Sequence, residues 1–163
     1  MNLDSLQSAR VRNGDVDIAW YEGGHSDGEP ILLIHGFAST TQVNWVSPGW
    51  FKTLGEAGYR VIALDNRGHG KSDKPHDPAA YTPEVMASDA AAVLKDAGVE
   101  KAHVFGYSMG ARNSAFLTIA HPEMVRSVIF GGLGIGMVEG VGDWDPIADA
   151  LAAYELSHSL GIK

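Results

Sequence analysis

The sequence predicts an α/β fold: a doubly wound, mostly parallel sheet preceded by an antiparallel hairpin. Three observations carry that expectation. Two short runs, Ile31-Leu32-Leu33-Ile34 and Val61-Ile62-Ala63-Leu64, are apolar without alternation, as in strands covered by helices on both faces. Strand-like and helix-like patterns then follow one another from Ile31 to Phe130, the order of βα units in a parallel sheet. Upstream, Asn13-Gly14 lies between two strand-like runs and is the strongest short-range signal for a hairpin.

In chain order, Val16, Ile18 and Trp20 alternate with polar or small residues, giving a strand with one wet face, and residues 23–30 form a polar loop. His35-Gly36-Phe37-Ala38-Ser39-Thr40 leaves the carboxyl end of the first buried strand, where open α/β sheets bind their ligands. Residues 44–47 read as irregular. Residues 48–55, with Trp50, Phe51 and Leu54 on one side, read as a short helix that closes near Gly58. The strand at 60–64 exits through the turn-rich Asp65-Asn66-Arg67-Gly68-His69-Gly70-Lys71-Ser72.

Thr82-Pro83-Glu84 announces a helix, with a capping threonine, proline at the first helical position and an acid in the first turn. Val85, Met86, Ala90, Val93 and Leu94 form its apolar stripe, and Gly98 ends it. Residues 102–105 are the next strand. Ala111, Ala115, Phe116, Ile119 and Ala120 then recur at helical spacing and predict a well-buried helix up to His121-Pro122. Residues 125–130 are a further strand. Residues 140–146 read as loop, and Ile147, Leu151, Tyr154 and Leu156 suggest an amphipathic helix running to Lys163.

Between strand 102–105 and the helix after it lies Gly106-Tyr107-Ser108-Met109-Gly110, the G-x-S-x-G elbow. A strand that turns sharply into a helix crowds the positions two before and two after the turn, and Gly106 and Gly110 remove that bulk. Ser108 is then presented above the sheet edge as a nucleophile, and the N–H of Met109 at the helix start can face a developing oxyanion. In a chain with 20 glycines the pattern alone is weak. The strand before it, the helix after it and His35-Gly36 upstream raise it. A glycine-rich turn with a surface serine is the plainer alternative.

The charge of −8, without a Lys/Arg cluster, excludes nucleic acid or an anionic membrane surface as the expected partner. There is no cysteine, hence no disulfide framework and no thiolate chemistry. The N-terminus has no basic region followed by an apolar run, and no apolar stretch is long enough to span a bilayer, so a cytoplasmic protein is expected. His25, His76, His103, His121 and His158 are scattered, so no metal site and no cofactor are expected.

The motifs Ile31-Leu32-Leu33-Ile34-His35-Gly36-Phe37, Asp65-Asn66-Arg67-Gly68-His69-Gly70-Lys71-Ser72 and Gly106-Tyr107-Ser108-Met109-Gly110 occur in this order, each at a strand end. Together they resemble the α/β-hydrolase fold family, in its esterase, lactonase and C–C hydrolase-like branch. The resemblance implies Ser108 as nucleophile, an oxyanion hole from the N–H groups of Phe37 and Met109, and support from His35, Gly36, Gly106 and Gly110. His35 competes as a base, with a structural role in the loop favoured over proton transfer. For Asp65 and His69 a turn-stabilising role is favoured over catalysis, with Arg67 bound to backbone or a carboxylate. A serine at the elbow also disfavours members with an aspartate nucleophile, such as haloalkane dehalogenases and epoxide hydrolases. Phe37, Trp45, Trp50, Tyr107 and Met109 suggest an apolar acyl pocket, although such residues are more often core.

In this family an acid and then a histidine follow the nucleophile. The resemblance therefore makes residues 1–134 the N-terminal portion of a hydrolase core and residues 135–163 the start of a lid, with Lys163 falling before the catalytic acid and base. Asp143 and Asp145 are more plausible as lid-entry residues than as the acid, and His158 shows no sign of aiming at Ser108. The expected function is hydrolysis of a small carboxylic ester, lactone or related acyl compound through an acyl-enzyme. A catalytically silent binding protein and a self-complementing oligomer are the alternatives. A sheet edge left uncovered would pair with a second chain or a second copy.

Overall fold

The computed structural model describes residues 2–135 of the chain. The chain divides after Leu133 into two compact units, Met1–Leu133 and Gly134–Lys163. The expected loop at 140–146, the terminal helix, and Asp143, Asp145 and His158 lie outside the described residues.

Six strands form one mixed sheet: β1 (Gln7–Asn13), β2 (Val16–Gly24), β3 (Pro30–Ile34), β4 (Arg60–Leu64), β5 (Ala102–Tyr107) and β6 (Val125–Gly131). Their spatial order is β1-β2-β4-β3-β5-β6. The β1–β2 and β2–β4 pairs are antiparallel, and the pairs among β4, β3, β5 and β6 are parallel, as expected. The hairpin turn sits one residue later than the Asn13-Gly14 signal places it. Asn13 pairs with Val16, so Gly14 and Asp15 form the loop, with Gly14 at φ 62°. The Asn13 side chain explains the offset: its Nδ2 donates to Ser88 Oγ and Asp89 Oδ1, both at 2.8 Å, which holds it as the last strand residue.

Helix α1 (Trp50–Glu56) covers one face of the sheet, and α2 (Pro83–Asp96) and α3 (Met109–Ala120) cover the other. Alternate residues of the strands supply the two cores. Ile18, Leu32, Ile34, Ile62, Leu64 and Val104 face α2 and α3, while Tyr21, Ile31, Leu33, Val61 and Ala63 face Trp45 and Phe51. That double coverage is why β3 and β4 show no alternation. Thr82 caps α2 as its sequence predicts, accepting from the Val85 N–H, and Gly98 follows the helix at φ 67°.

Three expectations need correction. The strand with Val16, Ile18 and Trp20 has no wet face, because Ala19 and Tyr21 on its other side are buried in the core beside Phe51. Residues 42–46 form a single wide helical turn, in place of the irregular stretch read at 44–47. On α3 the buried side is Gly110, Ala111, Asn113, Ser114 and Leu117, whereas Ile119 is 77% exposed and Phe116 is only partly covered. The helix is seated by small and polar groups at its start, with Ser114 Oγ donating to Gly110 O at 2.7 Å and Thr118 Oγ1 to Ser114 O at 2.8 Å. Close backbone approach, rather than an apolar stripe, sets its rotation.

The topology also places a site. From β3 the chain runs to β4 through α1, and from β5 it runs to β6 on the other side through α3. The loops leaving the adjacent carboxyl ends of β3 and β5 therefore diverge onto opposite faces. The crevice between them is the topological switch point, where open α/β sheets bind ligands.

Candidate active site

Ser108 occupies that switch point. Its backbone stands at φ 53° and ψ −120°, a region that a residue with a side chain rarely adopts and that costs on the order of 1–3 kcal/mol. The surroundings hold it there. The Ser108 N–H donates to Gly131 O at 2.8 Å, and its carbonyl accepts from the N–H groups of Ala111 and Arg112. Neither flanking glycine has room for a Cβ. At Gly106 it would lie 2.2 Å from Gly110 O, and at Gly110 it would lie 2.0 Å from Ile34 O. The sharp bend thus depends on both.

The Ser108 hydroxyl makes no capping bond to α3. Met109 begins that helix, so its N–H is among the first-turn amides that have no carbonyl partner four residues back. The loop after β3 passes alongside. A Cβ built on Gly36 would approach Ser108 Cβ to 3.3 Å, so glycine there brings the loop backbone against the elbow. Phe37, 46% exposed, follows Gly36 in that loop, and Tyr107, 49% exposed, precedes the serine. The aromatic pocket expected from sequence is smaller than the five residues suggested. Trp45 is core, packed on Phe105 with ring centroids 4.9 Å apart, and Trp50 stacks edge-on against the same ring at 5.2 Å.

The loop that carries Phe37 is pinned at several points. Asn44 Oδ1 accepts the Gly36 N–H at 3.1 Å, His69 Nε2 accepts the Ala38 N–H at 3.1 Å, and Asp65 Oδ1 accepts the Thr41 N–H at 2.8 Å. His35 is fully buried. Its Nδ1 contacts Gly36 O at 2.7 Å, its Nε2 accepts the Asn66 N–H at 2.9 Å, and Asn66 Nδ2 donates to the His35 carbonyl. Burial lowers the imidazole from its usual 6.5 to about 4, with the neighbouring His69 pushing the same way, so the ring is neutral at pH 7. Both nitrogens are committed to backbone groups, which makes His35 part of the loop's frame and leaves it no lone pair for a substrate proton.

Asp65 is likewise saturated. Besides Thr41 it accepts from Tyr21 Oη and the Lys71 N–H, each at 2.9 Å, and burial together with this carboxylate raises the Tyr21 phenol well above its usual range. Arg67 meets Asp89 through two bonds of 2.6 Å, both side chains buried, and donates to Ala80 O. This is the carboxylate-and-backbone role its sequence suggests. Sequence reading missed Asn44 and Asn66 as anchors of the loop after β3, and for His69 it favoured a turn-stabilising role over catalysis without seeing its bond to that loop. Among the described residues no group of three or more His, Asp or Glu side chains could hold a metal ion, and no helix is long and apolar enough to cross a membrane.

A model of the alpha/beta hydrolase fold matches residues 29–156. The chain belongs to that family. It is 32% identical over 130 residues to the AB hydrolase superfamily protein YfhM of Bacillus subtilis, an alignment covering 78% of this chain and 43% of that protein. It is 35% identical over 131 residues to a fluoroacetate dehalogenase of Burkholderia sp, covering 77% of this chain and 40% of the relative. Among solved structures, epoxide hydrolase A from Mycobacterium thermoresistibile superposes with a TM-score of 0.70 at 28% identity, over 77% of this chain and 39% of that one. The chain thus spans less than half the length of these α/β-hydrolase relatives. Overall similarity does not steer away from dehalogenases and epoxide hydrolases as Ser108 alone suggests. It is carried by the scaffold and its loops, to which a single elbow residue contributes little.

Proposed function

We propose that the chain forms the nucleophile-bearing part of a serine hydrolase acting on small carboxylic esters, lactones or related acyl compounds. The observation that carries this reading is the strained Ser108 backbone at the switch point, beside a loop where any side chain at position 36 would crowd the serine. Ser108 Oγ attacks the acyl carbon, the leaving alcohol departs with a proton, and water releases the acid. The N–H groups of Met109 and Phe37 stabilise the oxyanion in both steps. Serine at the elbow favours this acyl chemistry over the reactions that the dehalogenase and epoxide hydrolase names describe for those relatives.

Ser108 also needs a base, because a serine hydroxyl is a poor nucleophile at neutral pH. His35 and His69 are bonded to backbone groups, and His103 and His121 contact Ser127 and Glu123. None of these four is free to serve, and in this reading the base and its acid are supplied by more of the chain than the described residues. In the same reading the outer side of β6, which has a neighbour on one side only among the described residues, takes up a further strand from more of the chain, a second chain or a second copy. Sizing at several concentrations tests that pairing.

A fluorophosphonate probe tests the chemistry. Stoichiometric labelling that disappears in Ser108→Ala is the expected result. A folded chain that takes up no label supports the second reading, a binding protein that holds an apolar ligand against the half-exposed Phe37 and Tyr107.

A further inference from the structure

We propose that His69 is a positioning residue for the proposed reaction: it sets the orientation of the loop that carries the Phe37 amide. The inference rests on the serine-hydrolase reading for its catalytic meaning, and on independent geometry for its physical content. Nδ1 of His69 lies 3.0 Å from the Arg67 carbonyl, an acceptor only, so Nδ1 carries the proton. Nε2 is then a lone pair, and it accepts the N–H of Ala38 at 3.1 Å. One ring thus links the exit of β4 to the loop after β3, 31 residues away in sequence.

The same imidazole braces the loop through two more contacts. Its ring meets Phe37 edge-on at 5.9 Å between centroids and His35 edge-on at 5.2 Å. Ala38 is, with Ser108, one of two non-glycine residues among those described that hold positive φ, at 53°. A residue in that conformation persists only where its surroundings over-determine it. The bond from His69 is the contact that fixes the Ala38 N–H, and the peptide plane it belongs to adjoins Phe37. Both ring nitrogens are taken by backbone groups, so His69 acts through the direction it imposes on the loop.

Two substitutions in the full chain separate positioning from packing. His69→Phe keeps an aromatic ring against Phe37 and His35 but has no acceptor, whereas His69→Gln can present Oε1 to the Ala38 N–H. The rate of Ser108 labelling by the fluorophosphonate is expected to fall by on the order of 100-fold in His69→Phe and to recover to within about threefold of the parent in His69→Gln. In ¹H–¹⁵N spectra the Ala38 and Phe37 amide resonances are expected to move in His69→Phe and to stay near their parent positions in His69→Gln. Equal labelling rates in the parent and His69→Phe, or equal losses in both variants with matching melting temperatures, overturn the proposal. A parent chain that does not label at all counts against the serine reading alone. The amide resonances then decide the positioning role, and their indifference to His69→Phe overturns it.

Discussion

Acidification is the perturbation that most directly tests the frame around the elbow. His35 is buried and neutral, with its ring lowered from 6.5 to about 4, first by burial and then by His69 beside it. The bond to Gly36 O and the Asp65 carboxylate oppose the shift. As pH falls below 6.5 the unfolded chain takes up a proton on this histidine and the folded protein does not, until about 4. The stabilisation is therefore fully present above pH 6.5 and is lost progressively down to pH 4. At about 1.4 kcal/mol per pH unit, that window corresponds to roughly 3 kcal/mol, a large share of the stability of a small domain. Urea unfolding of the parent and of His35→Gln between pH 7 and 4.5 measures it. Near pH 5 the two slopes should differ by about 1.4 kcal/mol per pH unit, one proton's worth, whatever the absolute stability of the variant. Asp73 and Glu123, whose carboxyls are held low, titrate in both proteins and cancel. Parallel curves, or a His35 ring that titrates near 6.5 in the folded protein, would refute the reasoning.

Gly110→Ala should destabilise the fold by about 2–3 kcal/mol despite the better helix propensity of alanine, because its Cβ would sit 2.0 Å from Ile34 O; an unchanged urea midpoint contradicts the close-approach argument. Ser108→Gly should raise stability by about 1 kcal/mol while removing the proposed nucleophile, since glycine adopts φ 53°, ψ −120° without strain and returns part of that gain as chain entropy. A lower denaturation midpoint would show that the backbone there is unstrained. Asp89→Asn should cost about 3 kcal/mol by leaving the buried Arg67 guanidinium facing a neutral partner, and the double variant Arg67→Met, Asp89→Leu should lose less. A double variant less stable than the single one would mean that the pair is worth more than its desolvation.

The elements most legible in the sequence are those whose environment is uniform along their length. β3 and β4 are apolar throughout because both faces are covered, and Thr82-Pro83 marks the start of α2 because capping chemistry is local. The elbow was legible because Gly106 and Gly110 answer to a steric demand within five residues. The pinning of the loop after β3 was not. Asn66 reaches His35 and His69 reaches Ala38, each across 31 positions, and nothing in the local pattern of either loop encodes the meeting. The rotation of α3 escaped for a related reason. Its buried side is chosen by Gly110 against the β3 backbone and by Ser114 folding back on the helix, so periodicity of apolar residues pointed at Ile119, which faces outward. Trp45, grouped with the pocket by its type, went to the core because the wide turn at 42–46 directs it there.

The two flanks of the sheet invite different company. Along β1 the arginines at 10 and 12 are tied to Asp73 and Asp17, a rim of fixed charge that a stranger's backbone would have to strip of water before docking. Among the described residues β6 offers no such deterrent along its second half, where Ile129 and Phe130 are 50% and 44% exposed. Growth of this sheet, whether by proper completion or by fibre-like stacking of copies, should proceed from that flank. A lysine at position 129 would tell the two apart, slowing indiscriminate self-association while sparing a mate that brings its own carboxylate.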